Sequence, residues 1–398
     1  MVRPCNSMGS EPSAPTTKSA SNVISGEPDI SISKEHNLSK QHSSVLERYR
    51  NLRRKVARIH SSNYDISNIC NLRCEGCLYF SDVDRSEKLA VSELKQWRSF
   101  FEAEASRGIN FAYIAGAEPA LTPERISACY DHIPYGVVFS NGSRKIHPDI
   151  NYRIHVSLWG DENSSKLFRD GNVQKKAFKH YAGDERALFV LTVSNLNIDQ
   201  IEGIAAQCAE HGIPLTFSFF SPTDDYNLRQ SGVFKDDSKY FRISSDQDMR
   251  LSPAALKRAR ENILNAADRH PSTVLISKPY LDWVTGETPL YTLDDTGIAI
   301  DCGNRLNKWH RHYNADLSLN SGKCCSPNID CKDCRAYAMG LGSYLTKFKP
   351  LKKELSKNGD WLDTLEHWTE MFLPTAGMDK LQISNSNPES SDTRSEAA

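Results

Sequence analysis

Residues 63–77 read NYDISNICNLRCEGC. The first five residues form a short strand-like run, and the chain then enters a loop carrying Cys70, Cys74 and Cys77 in a C-x3-C-x2-C array. Five similar runs follow: FAYIA (111–115), GVVFS (136–140), RIHVSL (153–158), ALFVLTV (187–193) and PLTFSFF (214–220). Helical patterns separate most of them: SELKQWRSFFEAEASRG (92–108), TPERISACYDH (122–132), a segment within 161–181, and IDQIEGIAAQCAEHG (198–212), where Gly212 suits a C-terminal cap. Only the third connection, NGSRKIHPDINY (141–152), is too short and irregular for a full helix. Strands alternating with helices specify an α/β fold with a parallel sheet. Six such units close part of an eight-unit barrel, so the expected architecture is a partial (β/α)6 TIM-like barrel with an open side. Functional residues are then expected just past the C-terminal ends of the strands.

Outward from this core, the basic stretch RYRNLRRKVARIH (48–60) is helical in pattern and reads as a solvated face packed beside the barrel, with an RNA-binding surface as the alternative. A mixed polar segment (221–271) precedes a further strand, TVLIS (273–277), a Cys-rich region and a helix around WLDTLEHWTEMFL (361–373). The expected organisation is a disordered tail over 1–42, a core over 43–285, a small C-terminal Cys-rich auxiliary region over 286–345, a helical segment over 346–380 and a disordered tail over 381–398.

The chain has 398 residues, with 49 Lys+Arg against 50 Asp+Glu and a net charge of −1, which argues against a nucleic-acid partner. No apolar run is long enough for a membrane span. Eleven cysteines, an odd and clustered set with no secretory apolar segment, point to metal or redox chemistry in a reducing compartment, expected to be the cytoplasm. Three thiolates on a short loop can hold three irons of a cubane and leave the fourth iron open to a ligand; a zinc site is the alternative for this triplet. Directly after the second strand stands Gly116-Ala117-Glu118-Pro119, a small-residue turn that lets backbone approach a ligand, with a carboxylate able to accept from an ammonium group.

C-x3-C-x2-C after the first strand and Gly-Ala-Glu-Pro after the second together resemble the radical S-adenosylmethionine superfamily, over roughly residues 60–225. The resemblance implies that Cys70, Cys74 and Cys77 ligate a 4Fe–4S cluster whose open iron chelates the amino and carboxylate groups of S-adenosylmethionine. The family reductively cleaves that cofactor to methionine and a 5′-deoxyadenosyl radical that removes hydrogen from a substrate. By the same resemblance, Gly116, Ala117, Glu118 and Pro119 bind the methionine amino group. Ser140 and Asn141 contact the nucleoside, Ser157 the ribose or carboxylate, Arg169 the carboxylate, and Asn195 the adenosine. For these last five the alternative is ordinary capping or surface hydrogen bonding. The sequence departs from the family pattern at Ala117, where a second glycine is usual. It departs again at Gly76, where many members carry an aromatic against adenine; either Tyr79 or Phe80 is expected to take over that packing, or the adenine edge is expected to be more open.

A later set, Cys302, Cys324, Cys325, Cys331 and Cys334, resembles the SPASM and Twitch extensions of that superfamily without matching the full SPASM spacing. This implies one auxiliary 4Fe–4S cluster on Cys302, Cys324, Cys331 and Cys334, with zinc as the alternative. Cys325 is left as a structural thiol or a hydrogen donor to a substrate radical. Cys5 lies in the tail, and Cys129 and Cys208 read as small buried hydrophobes. Because residues 1–42 are expected to be disordered, no cobalamin-binding domain is expected before the first strand and cobalamin-dependent methyl transfer is disfavoured. The expected reaction is oxidation or cross-linking of a small molecule or peptide, with a flavodoxin or ferredoxin as reductant. A radical epimerase is the alternative, and a non-catalytic iron–sulfur carrier or zinc-stabilised interaction protein is the alternative of another class.

Overall fold

The computed structural model describes residues 45–80, 88–232, 240–243, 246–287, 289–320, 329–351, 354 and 358–374. Both expected tails, Cys5, Cys324 and Cys325 lie outside them.

Seven parallel strands form one sheet in the order β6-β5-β4-β3-β2-β1-β7. They are β1 (Ser61–Asp65), β2 (Phe111–Ala115), β3 (Tyr135–Ser140), β4 (Arg153–Leu158), β5 (Ala187–Val193), β6 (Leu215–Phe219) and β7 (His312–Tyr313). With helices around the sheet this is the partial TIM-like barrel read from the sequence, with one difference. The expected strand 273–277 meets the sheet only through an isolated bridge between Val274 and Leu215. Ser277 there caps the helix Lys278–Val284, accepting from Tyr280 N–H, so the chain turns helical instead of extending. The seventh strand comes from His312–Tyr313 beside β1.

A buried carboxylate fixes that added strand. Glu104, on the helix Leu94–Ser106, accepts from Tyr64 of β1 at 2.7 Å and Tyr313 of β7 at 3.0 Å, and pairs with Arg107 at 2.7 Å. The helix buries Trp97, Phe101 and Glu104, one face at three- and four-residue spacing, and Tyr64 meets Phe100 and Phe101 edge-on. Because side chains alternate along a strand, Asn63 and Asp65 point the other way, into the barrel. There Tyr113, Phe139, Tyr337 and Phe372 pack together. His155 joins them, its ring nitrogens 2.6 Å from Tyr337 Oη and 2.8 Å from Met371 O, so the end of the helix Gly359–Phe372 plugs the lumen.

The basic stretch does pack beside the barrel: residues 45–56 are helical, and Arg48 bonds Glu366 and Asp363 on that C-terminal helix. Among the described residues no helix is long and apolar enough to cross a membrane.

Candidate functional site

The loop after β1 is zipped to the turn after β2. Ala117 N–H donates to Ser67 O at 2.9 Å and Glu118 N–H to Ile69 O at 3.0 Å, immediately before Cys70. Gly116 has φ +121°, and a Cβ there would stand 2.6 Å from Ser67 O, so only glycine permits this approach.

Glu118 is 1% exposed and ties strand ends together. One carboxylate oxygen accepts from Ala120 N–H at 3.0 Å and Ser140 Oγ at 2.8 Å; the other accepts from Asn141 N–H at 2.7 Å. Burial pushes its carboxyl above the usual carboxylate range, opposed by these bonds and by Arg169. Three acceptor positions are thus taken, leaving less room for an ammonium ligand on this side chain than the sequence suggests. Pro119 starts a buried 3-10 turn, Pro119–Leu121.

Asn141 Nδ2 reaches Asn71 Oδ1 at 3.0 Å and Cys70 Sγ at 3.8 Å, so the end of β3 touches the cysteine loop. The helix Glu162–Arg169 meets the same loop from the other side. Arg73 N–H donates to Arg169 O at 3.3 Å and Glu75 N–H to Phe168 O at 2.6 Å. Arg169 is buried and donates through one terminal nitrogen to Ser157 O, while its Nε has no hydrogen-bond partner among the described residues. Burial raises both the Cys70 thiol and the Glu118 carboxyl, and the Arg169 charge opposes both shifts. Ser157 Oγ accepts from Trp159 Nε1 at 3.2 Å. The structure therefore gathers Cys70, Gly116 to Pro119, Ser140, Asn141, Ser157 and Arg169 at one end of the barrel. Asn195 stands apart: it is exposed and bonds the backbone of Met249 and Asp248.

The donor set fits a cluster and its cofactor. Cys70, Cys74 and Cys77 are half-buried. Burial pushes the Cys70 thiol up to about 11, and burial with Cys74 pushes Cys77 up to about 12. These thiols are ligands only once a metal displaces their protons. Among the described residues no group of three His, Cys, Asp or Glu is placed to hold a metal ion. Three thiols on one loop are the donor type that the separate irons of a cubane take. The orphaned, buried Arg169 Nε suits a carboxylate, because a buried donor without a partner is costly and a charge-assisted bond relieves it.

Residues that motif reading passed over complete this end of the barrel. Glu75, between two of the cysteines, is wholly buried and bonds Arg229 and the backbone of residues 242 and 243. Asp65, at the end of β1, pairs with His312 Nε2 at 3.0 Å inside the barrel. An acidic residue in a loop carries no sequence mark of a distant partner.

In the Cys-rich region Cys302 caps the short helix Gly303–Leu306 and accepts from Ser343 Oγ at 3.8 Å. Cys334 is buried and Cys331 half-buried. Burial raises the Tyr291 hydroxyl, and Cys334 and Cys302 add to that shift. Cys129 and Cys208 are fully buried, and burial raises both thiols.

No protein-family profile and no curated protein matches the chain. Among solved structures, Streptococcus suis SuiB bound to S-adenosylmethionine aligns with a TM-score of 0.48 at 12% identity, over 67% of this chain and 60% of that one. Native anSMEcpe with bound AdoMet aligns at 0.46 and 12% identity, over 78% and 96%, and the FeFe-hydrogenase maturase HydG at 0.35 and 13%, over 61% and 56%. The chain thus spans about three fifths of SuiB. At these scores the function rests on the site's own residues.

Proposed function

We propose that this chain is a radical S-adenosylmethionine enzyme. Cys70, Cys74 and Cys77 would hold a 4Fe–4S cluster, the Gly116–Pro119 turn the cofactor's amino group, and Arg169 its carboxylate. When bound, the cluster supplies the electron that splits the sulfonium and yields the hydrogen-abstracting 5′-deoxyadenosyl radical. This chain's residues position that chemistry: Glu118 clamps the ends of β2 and β3, and Gly116 lets the turn lie against the cysteine loop. The observation that carries the reading is Arg169, buried, with its backbone carbonyl accepting from Arg73 N–H in the cysteine loop and its Nε unpartnered among the described residues.

The reaction class is hydrogen abstraction from a small molecule or peptide, leading to oxidation or cross-linking, with a flavodoxin or ferredoxin as reductant. Cys302, Cys324, Cys331 and Cys334 are assigned to an auxiliary 4Fe–4S cluster. The test is anaerobic reconstitution followed by a dithionite assay for 5′-deoxyadenosine. The parent chain should release it and Cys74→Ala should not; undiminished release from the variant would refute the reading.

A further inference from the structure

At one edge of the sheet stands β6, and just past its C-terminal end the chain walls a cavity of about 310 Å³. That is within the ~300–1,000 Å³ of small-ligand sites. Phe220, Pro222, Leu251 and Leu256 give it apolar walls. Its lining also carries both signs of charge, Arg250 and Lys257 against Glu287 and Asp333. Lys257 and Glu287 are exposed, which puts them at the mouth.

The walls are fixed without any occupant. Arg335 is buried; its backbone N–H donates to Ser221 Oγ at 2.9 Å, and its guanidinium donates to Val284 O and, at 3.1 Å, to Gly286 O. These bonds tie the 333–335 segment to the end of β6 and to the turn after the helix Lys278–Val284. Arg250 is held by Asp248 at 2.8 Å and Asn227 at 3.3 Å. Met249 N–H donates to Tyr226 Oη at 3.1 Å, and Tyr226 packs edge-on against Phe220 with centroids 5.1 Å apart. A cavity preformed in this way binds without the cost of ordering its walls.

Phe220 also packs against the cysteine loop. A Cβ at Gly76, between Cys74 and Cys77, would stand 3.3 Å from Phe220 Cζ and 3.0 Å from Tyr226 Cδ2. One ring thus serves the cavity and the loop, and an occupant of the cavity is kept a ring's width from the cysteines. A molecule that fills the cavity and also reaches the site where hydrogen is abstracted must be extended. We infer that this cavity anchors an apolar side chain of a peptide substrate, at a distance from the residue that reacts. The inference rests on the proposed function and narrows its substrate from a small molecule or peptide to a peptide. The apolar walls take a side chain, and the mixed charges suit the charged and amide groups on either side of it. A phosphate or nucleotide would meet the acidic pair as well as the basic one.

The experiment is equilibrium dialysis on the anaerobically reconstituted full chain with two capped peptides, acetyl-Glu-Phe-Lys-amide and acetyl-Glu-Gly-Lys-amide. They carry the same charges and differ only in the side chain offered to the cavity. The parent should bind the Phe peptide about 10- to 150-fold more tightly, the 1.5–3 kcal/mol of burying a large apolar side chain at 1.4 kcal/mol per tenfold. Leu251→Trp fills the cavity from a half-buried wall, and Lys257→Trp covers it from an exposed position, so the test stands even where the first variant fails to fold. Each should bring the ratio below about twofold while 5′-methylthioadenosine, the cofactor's nucleoside without its amino acid, binds as it does to the parent. A parent that binds both peptides equally, or a ratio kept by both variants, would overturn the anchor. Displacement of the Phe peptide by S-adenosylmethionine or 5′-methylthioadenosine would put it in the cofactor's place and overturn it as well. A parent that shows the ratio but binds no S-adenosylmethionine would instead overturn the proposed function, leaving a peptide-binding cavity without that chemistry.

Discussion

Replacing Gly116 with alanine tests whether the contact between the cysteine loop and the turn after β2 is as tight as it stands. Two costs combine. A side chain at φ +121° costs about 1–2 kcal/mol, because L residues avoid that region. The new Cβ would also stand 2.6 Å from Ser67 O and 3.0 Å from Ser67 N, both backbone atoms. Relief would require the two segments to part, stretching Ala117 N–H to Ser67 O and Glu118 N–H to Ile69 O, now 2.9 and 3.0 Å. At about 1 kcal/mol each, those bonds bring the total to roughly 3–4 kcal/mol. Gly183 supplies the control, since its φ is +71° and a Cβ there would meet nothing within 4 Å. Gly183→Ala should cost only the backbone part, leaving a difference of about 2 kcal/mol between the variants. Urea unfolding of the metal-free chain, followed by circular dichroism and compared at constant slope, measures it. A loss at Gly116 no larger than at Gly183 would refute the close approach and its role in placing Cys70.

Arg169→Gln should raise Kd for S-adenosylmethionine about 10- to 150-fold, the 1.5–3 kcal/mol of hydrogen bonds to a charged group, and leave methylthioadenosine binding unchanged; equal binding of S-adenosylmethionine by parent and variant would exclude a carboxylate contact. Burial holds His155 down to about 3 and His310 and His367 to about 4, against a usual 6.5. The unfolded chain therefore takes up these protons first, and stability present above pH 6.5 is lost as the pH falls toward 4. At pH 5.5 the three together cost about 4 kcal/mol, less what the raised carboxyls of Glu75 and Glu118 return, and urea midpoints at pH 7.5 and 5.5 that coincide would contradict it. Cys334→Ala should lower reconstituted iron from about eight to about four atoms per chain, whereas an unchanged iron content would remove Cys334 from the auxiliary ligand set.

What the sequence discloses and what it conceals divide along contact distance. β2, β4 and β5 lie where their apolar runs put them, residue for residue, because alternation and flanking turn residues are local properties. β1 begins two residues earlier than its apolar residues suggest, since Ser61 and Ser62 are buried strand residues; Ser62 Oγ accepts from Arg107 at 2.8 Å. The helix Pro253–Arg269 hides in the polar segment because most of its buried face is alanine, Ala255, Ala259 and Ala266, although Ser252 and Pro253 form a start signal. β7 is two polar-ended residues whose place is set by Glu104, far away in the chain. The same division runs through the candidate site. The cysteine array and the Gly116 turn are spacing patterns, so they are visible in one dimension. Glu75 is not, because its partners Arg229 and Ile243 lie 154 and 168 positions away. A carboxylate between two cysteines looks like a spacer until the chain returns to it. Its complete burial shows that the return is built in: an unpaired carboxylate could not stay there, so residues 240–243 and the cysteine loop must fold as one unit.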